Sequence, residues 1–124
     1  MLMSGRRNVV AVIDEDPGTL RAMKHLLSAH GYEPQLYSSS KGFFDAAPTS
    51  EASCLLTDVQ LGDGCGIELA GRLAKAGFHF PIVFMTGRGN EAVERRATEA
   101  GCVALLRKPI SAEVLIAALI RAIP

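Results

Sequence analysis

The chain has 124 residues, with 13 Lys and Arg against 13 Asp and Glu, 48% hydrophobic residues and three cysteines. That length holds one hydrophobic core, so a single domain over residues 1–124 with its core at about 8–123 is expected. Balanced charge removes the broad positive field of a nonspecific nucleic-acid binder, and Cys54, Cys65 and Cys102, without a C-x-x-C pair, suggest neither a disulfide framework nor a zinc site.

Residues 1–7 carry a basic pair but no apolar run long enough for a signal peptide, and no stretch approaches bilayer-spanning length. A cytoplasmic protein without membrane contact is expected. Asn8-Val-Val-Ala-Val-Ile13 is a continuous β-branched run stopped by acids, the pattern of a strand buried on both faces. Asp16-Pro17 supplies an N-cap and a first-turn proline. Leu20, Met23, Leu26, Leu27 and His30 then recur at helical spacing until Gly31, predicting a helix over 17–30.

Glu33 to Tyr37 reads as a short strand and Ser40 to Ala47 as a short helix closed by Pro48. Ser53-Cys-Leu-Leu-Thr-Asp58 is a second apolar run ending in an acid. The glycine-rich Gly62-Asp-Gly-Cys-Gly66 follows as a turn, leading into a helix through Ala76. Pro81-Ile-Val-Phe-Met-Thr86 is a buried strand ending in a hydroxyl, after which Asn90 caps a helix running to Ala100. Val103-Ala-Leu-Leu-Arg107 is the last strand and runs into Lys108-Pro109, and Ser111 caps the final helix. Strand and helix alternate five times. The expected fold is α/β, a doubly wound five-stranded parallel sheet of flavodoxin-like order 2-1-3-4-5 with helices on both faces.

In such sheets the functional crevice lies at the carboxyl ends of the strands, which here carry Asp14 and Glu15, Asp58, Thr86 and Lys108. Each has a plain reading alone: helix N-terminal acids, a turn cap, a strand terminus. Together they predict one site. Three clustered carboxylates and one lysine sum to −2, which one hard divalent cation, Mg²⁺ or Mn²⁺, cancels. A carboxylate beside such an ion can attack phosphorus when a lysine and a hydroxyl share the charge on the transferring oxygens. Asp58 suits the nucleophile because it ends a central strand alone, whereas the adjacent Asp14 and Glu15 suit a metal. His25, His30 and His79 lie away from the strand ends without ligand spacing.

Val12-Ile-Asp-Glu-Asp-Pro17, Leu55-Leu-Thr-Asp58, Phe84-Met-Thr-Gly87 and Lys108-Pro109, in that order, resemble the receiver domains of two-component response regulators over Val9 to Ile123. The resemblance implies that Glu15 and Asp58 ligate Mg²⁺, that Asp14 holds it through water and that Gln60 offers its backbone carbonyl. It further implies that Lys108 precedes a cis Pro109 and pairs with the phosphoryl group, that Thr86 binds that group and moves, and that the donor is a sensor histidine kinase or phosphotransfer protein. The chemistry so implied is self-phosphorylation and self-dephosphorylation only. Thr86-Gly-Arg-Gly is most similar to receivers that precede LuxR-type output domains. Two positions depart from the pattern. Gly62 stands where a proline is usual, so a less rigid loop is expected. Leu105 stands where the family's switching aromatic is usual.

In the last helix Leu115, Ala118, Leu119 and Ala122 form one apolar stripe and Ile116, Ile120 and Ile123 another. Ile116 and Ile120 are therefore expected to meet a second copy or an output domain. Three other readings compete. Asp14-Glu-Asp16 before Gly18-Thr-Leu resembles the first motif of haloacid-dehalogenase phosphatases, with Asp14 attacking and Asp16 as acid. A flavodoxin would share the fold, but an acidic first loop repels phosphate. A receiver-like module that binds partners without phosphorylation is the third.

Overall fold

A computed structural model describes residues 8–87 and 89–124. In chain order it contains β1 (Val9–Ile13), α1 (Pro17–Ala29), β2 (Glu33–Tyr37), α2 (Ser40–Ala46), β3 (Cys54–Asp58), β4 (Gln60–Leu61) and β5 (Gly64–Cys65). There follow α3 (Gly66–Lys75), β6 (Ile82–Thr86), α4 (Glu91–Glu99), β7 (Ala104–Arg107) and α5 (Ala112–Ala122). The five longer strands pair in parallel in the order β2-β1-β3-β6-β7. This is the expected flavodoxin-like order, with β6 and β7 as the fourth and fifth strands. Residues 1–7, read above for a leader, and Arg88 of the Thr86-Gly-Arg-Gly stretch lie outside the described residues. No helix among the described residues is long and apolar enough to cross a membrane.

Every residue of β1 and β3 is buried because helices cover both faces of the sheet. Alternation along the strands divides the core. Val10, Val12, Leu56 and Met85 meet Met23 and Leu27 of α1 and Leu115 and Leu119 of α5. From the same strands Ala11, Ile13 and Leu55 meet Phe43 of α2 and Leu69 and Leu73 of α3. Phe84 packs with Val59, Ala70 and Ala97 beside α4. The expected caps form: Asp16 accepts from the Gly18 N–H, Asn90 from Val93 and Ser111 from Val114.

Three differences have local causes. Pro48 does not simply close a helix; it sits in a 3-10 turn, Ala47–Thr49, because proline suits the first positions of such a turn. The first, third and fourth helices end one residue before the expected boundary, where His30, Ala76 and Ala100 cap them. Residues 60–65, read mostly as turn, form a two-stranded antiparallel ribbon, Gln60 opposite Cys65 and Leu61 opposite Gly64. Such strands are too short to show alternation.

Register sets the functional end. Ile13 lies opposite Thr57, Asp58 opposite Met85 and Thr86 opposite Arg107, so the strands finish nearly level and the residues after them gather at one edge. Leu119, fully buried against that sheet, is expected to cost about 2–5 kcal/mol of unfolding free energy as Leu119→Ala. Val114→Ala on the exposed side of the same helix should stay within about 0.5 kcal/mol in the same urea melts.

Candidate functional site

Asp14 leaves β1 with only 1% of its surface exposed. Its N–H donates to the Tyr37 carbonyl at 3.1 Å, and its Oδ1 accepts the Asp16 N–H at 2.9 Å. Asp58 ends β3, and its Oδ1 accepts the Gln60 N–H at 2.8 Å. Lys108 follows β7, where its N–H donates to the Thr86 carbonyl at 2.9 Å. From there its Nζ donates to Asp14 Oδ2 at 2.7 Å and Asp58 Oδ2 at 2.6 Å. Thr86 is buried at the end of β6 beside them. The Lys108-Pro109 bond is cis.

The two ends of this bridge respond differently to burial. Burial raises the Asp14 pKa above the carboxylate value of 3.8, and this outweighs the hydrogen bonds from Lys108 and the Asp16 N–H, while the nearby Asp58 charge adds to the rise. Burial of Lys108 acts to lower its pKa, but hydrogen bonds to Asp14 and Asp58 and the charge of both carboxylates outweigh it, so Lys108 is raised and stays cationic.

Glu15 does not join the cluster. It is exposed, its carboxylate lies against Gly62, and no group of three His, Cys, Asp or Glu among the described residues is arranged to hold a metal. Lys108 thus bridges Asp14 and Asp58, while the Glu15 carboxylate lies apart from that bridge in the bend after β1. The oxygen donors present still fit a hard divalent ion that keeps several waters. Asp14, Glu15 and Asp58 with Lys108 leave a net −2, and the carboxylate that burial makes costly to ionise, Asp14, is one a nearby cation would relieve.

The turn carrying Gly62 is tied to α2. Asp63 accepts the N–H groups of Ser40 at 3.1 Å and Lys41 at 3.0 Å, tying the β4–β5 ribbon to the first turn of α2. These bonds, Lys41 first, hold the Asp63 carboxyl below its ordinary value. Sequence reading missed this anchor. The signal available was an acid between two glycines, facing a helix start with unsatisfied N–H groups.

Gly66 is required for contact. A Cβ there would collide with the Asp58 carbonyl oxygen, so α3 can begin directly against the end of β3. Leu105 is half-buried against the cluster of Phe84 and Ala97. Next to it Arg107 reaches Glu94 of α4 at 3.1 Å, a link between β7 and α4 that strand periodicity did not signal.

Asp16, the acid of the phosphatase reading, caps α1 through the Gly18 N–H at 3.0 Å and the Thr19 hydroxyl at 3.1 Å. His25, His30 and His79 are exposed. The three cysteines are free, and burial pushes the Cys54 thiol up to about 12. A groove of about 480 Å³ opens beside Lys108, lined by Ala22, Met23 and Leu26 of α1 and by Pro109 and Ile110. On α5, Ile120 is 61% exposed and Val114 50%, whereas Ile116 is half-buried against the core. Of the two residues expected at a partner surface, Ile120 is thus the more exposed, while Ile116 packs partly against the core.

Comparison with known proteins agrees with this geometry. Residues 10–120 match the family described as the response regulator receiver domain. The response regulator protein TodT of Pseudomonas putida is 30% identical over 117 residues, 94% of this chain and 52% of TodT. The transcriptional regulatory protein FixJ of Bradyrhizobium diazoefficiens is 32% identical over 108 residues, 87% of this chain and 53% of FixJ. The chain thus spans about half the length of these curated relatives. The crystal structure of FixJ-N superposes with a TM-score of 0.87 at 26% identity, covering 94% of each chain.

The bridge predicts a titration order. Followed by carboxyl-carbon NMR in metal-free buffer, Asp14 is expected to titrate above 3.8, and Lys108→Met to move it further up, since attraction is lost and burial remains. An acid whose folded pKa exceeds its unfolded one contributes stability that is complete below the unfolded value and lost as pH rises through the folded one. Since Asp16 and Asp63 are shifted the other way, the loss is read as a difference: in thermal melts the stability of the parent relative to Asp14→Asn should fall as pH rises through the folded Asp14 value.

Proposed function

The chain belongs to the response-regulator receiver family of two-component signalling, and we propose that it accepts a phosphoryl group on Asp58 with a divalent cation and passes the change to a partner. The observation that carries this reading is the Lys108 ammonium held at 2.7 and 2.6 Å between Asp14 and Asp58. An Asp58 carboxylate oxygen attacks the donor's phosphorus, the bond from phosphorus to the donor atom breaks, and its electron pair leaves with the donor. The product is an acyl phosphate.

Before transfer, the Gln60 N–H and Lys108 each hold one Asp58 oxygen, so the nucleophile is oriented from two sides. After transfer, Lys108 shares the charge on the phosphoryl oxygens and Thr86, at the adjacent strand end, takes another of them. A divalent cation, Mg²⁺ or Mn²⁺, would be held by Asp58, Glu15 and the Gln60 carbonyl, with Asp14 through water, and would supply charge neutralisation. Self-phosphorylation and its reversal by water are the whole chemistry, as befits a cytoplasmic signalling domain.

The phosphodonor in this reading is a sensor histidine kinase or phosphotransfer protein. The apolar groove between α1 and Pro109-Ile110 suits its docking, because it opens directly beside Lys108. The output contact in this reading is made by Ile120 and Val114, the exposed apolar residues of α5. FixJ is a transcriptional regulatory protein of about twice this span, which supports an output, or a second copy, that acts in transcription without nucleic-acid contact by these residues. A phosphorylation-independent module is the second reading, and Leu105, packed where the switching aromatic is usual, favours it.

Intact mass after incubation with acetyl phosphate separates the two. A gain of one phosphoryl group that needs Mg²⁺ and disappears in Asp58→Ala is expected, while no gain on a folded, Mg²⁺-binding protein would leave the second reading. For the output surface, Ile120→Glu should alter self-association in sedimentation with beryllofluoride and leave the melting temperature nearly unchanged. Ile116→Glu should instead lower stability by about 1–3 kcal/mol, since a charge enters the core edge.

A further inference from the structure

Pairing of Leu61 with Gly64 leaves Gly62 and Asp63 as a two-residue turn, so Asp63 stands at the tip of the β4–β5 ribbon while Gln60 stands at its base. At the base, the Gln60 N–H donates to Asp58 Oδ1 at 2.8 Å and the Gly66 N–H donates to the Val59 carbonyl at 2.8 Å. At the tip, the two Asp63 oxygens are divided between the first two N–H groups of α2, Oδ1 accepting from Ser40 at 3.1 Å and Oδ2 from Lys41 at 3.0 Å. The helix's own cap, Ser39, accepts the third, from Gly42 at 3.0 Å. Both side chains cap α2, but of the two only Asp63 belongs to the segment that carries Gln60. Leu61 also packs in the cluster that contains Phe43 of α2. Burial of that kind is non-directional, whereas a carboxylate shared between two N–H groups fixes the orientation of the ribbon over the helix.

We propose that Asp63 is a positioning residue for Asp58, acting through Gln60: by pinning the ribbon tip to α2 it holds the Gln60 N–H on Asp58 Oδ1. Its consequence for transfer rests on Asp58 being the phosphoryl acceptor; the positioning itself does not. Lys108 holds the other Asp58 oxygen at 2.6 Å, so loss of the Gln60 bond leaves the carboxylate fixed from one side and freer to turn. Orientation of the attacking oxygen is part of the barrier that a site removes. Because Gln60 is itself exposed, the bond to Asp58 rather than deep burial protects its amide from exchange, and that amide reports the hold directly.

The test compares the parent, Asp63→Ala, Asp63→Asn and Ser39→Ala as whole chains. Ser39→Ala is the control for helix stability, since it removes a cap from the same turn of α2 without touching the ribbon. In metal-free buffer, hydrogen exchange at the Gln60 amide is expected to quicken about three-fold or more in Asp63→Ala and to keep the parent rate in Ser39→Ala. Asp63→Asn, which keeps one acceptor oxygen, should fall between. The rate of phosphoryl gain from acetyl phosphate with Mg²⁺ should drop about three-fold or more in Asp63→Ala and hold in Ser39→Ala. If Asp63→Ala fails to fold, Asp63→Asn carries the same comparison with Ser39→Ala. Gln60 exchange that is unchanged in the Asp63 variants, or that quickens equally in Ser39→Ala, would overturn the positioning role, as would a phosphorylation rate equal to the parent's. A parent that gains no phosphoryl group would overturn the acceptor reading, and Gln60 exchange would then decide the positioning by itself.

Discussion

An ammonium group placed between two carboxylates is the constraint around which this end of the molecule is arranged. Lys108, Asp14 and Asp58 come from the ends of three different strands, 94 and 50 residues apart in the chain, and meet within 2.7 Å. Only parallel strands that stop level with one another can deliver them, and the register of β1, β3, β6 and β7 does so. Removing either sign of charge leaves the other partly buried and unmatched, a far larger penalty than the net gain from making the pair. The bridge therefore specifies an arrangement more than it adds stability.

Electrostatic tension remains in the bridge. Asp14 is held in a site that disfavours its charge, while Lys108, more open to solvent, is kept charged by its two partners. A group of this kind responds to any added charge nearby. In the proposed transfer, a phosphoryl group on Asp58 would bring new negative oxygens to Lys108, whose N–H is bonded to the Thr86 carbonyl. Arg107, at the end of the same strand β7, contacts Glu94 on α4.

The ribbon after β3 is the most individual part of the site. Gly66 permits α3 to start against the Asp58 carbonyl, Asp63 ties the turn to α2, and Gly62 leaves room for Glu15. A loop that looks permissive from its glycine content is thus held by an acid acting as a cap from outside the helix it caps. Composition did not signal this tie, because its partner lies 22 residues away.

The sequence by itself determined the element types, the parallel sheet and the strand ends that carry Asp14, Asp58, Thr86 and Lys108, because apolar runs, caps and the polar residue after each strand are local signals. It also carried the family likeness, through short motifs whose order is specific even where each motif is not. Tertiary structure alone decided which acids share the bridge. Asp14 and Glu15 are adjacent and chemically alike, but Asp14 is buried while Glu15, in the bend that follows β1, is exposed against Gly62. Structure likewise decided that Ile116 packs partly against the core while Ile120 is exposed. Helical spacing gives the angle between two side chains, whereas the width of the covered stripe depends on which elements pack against it.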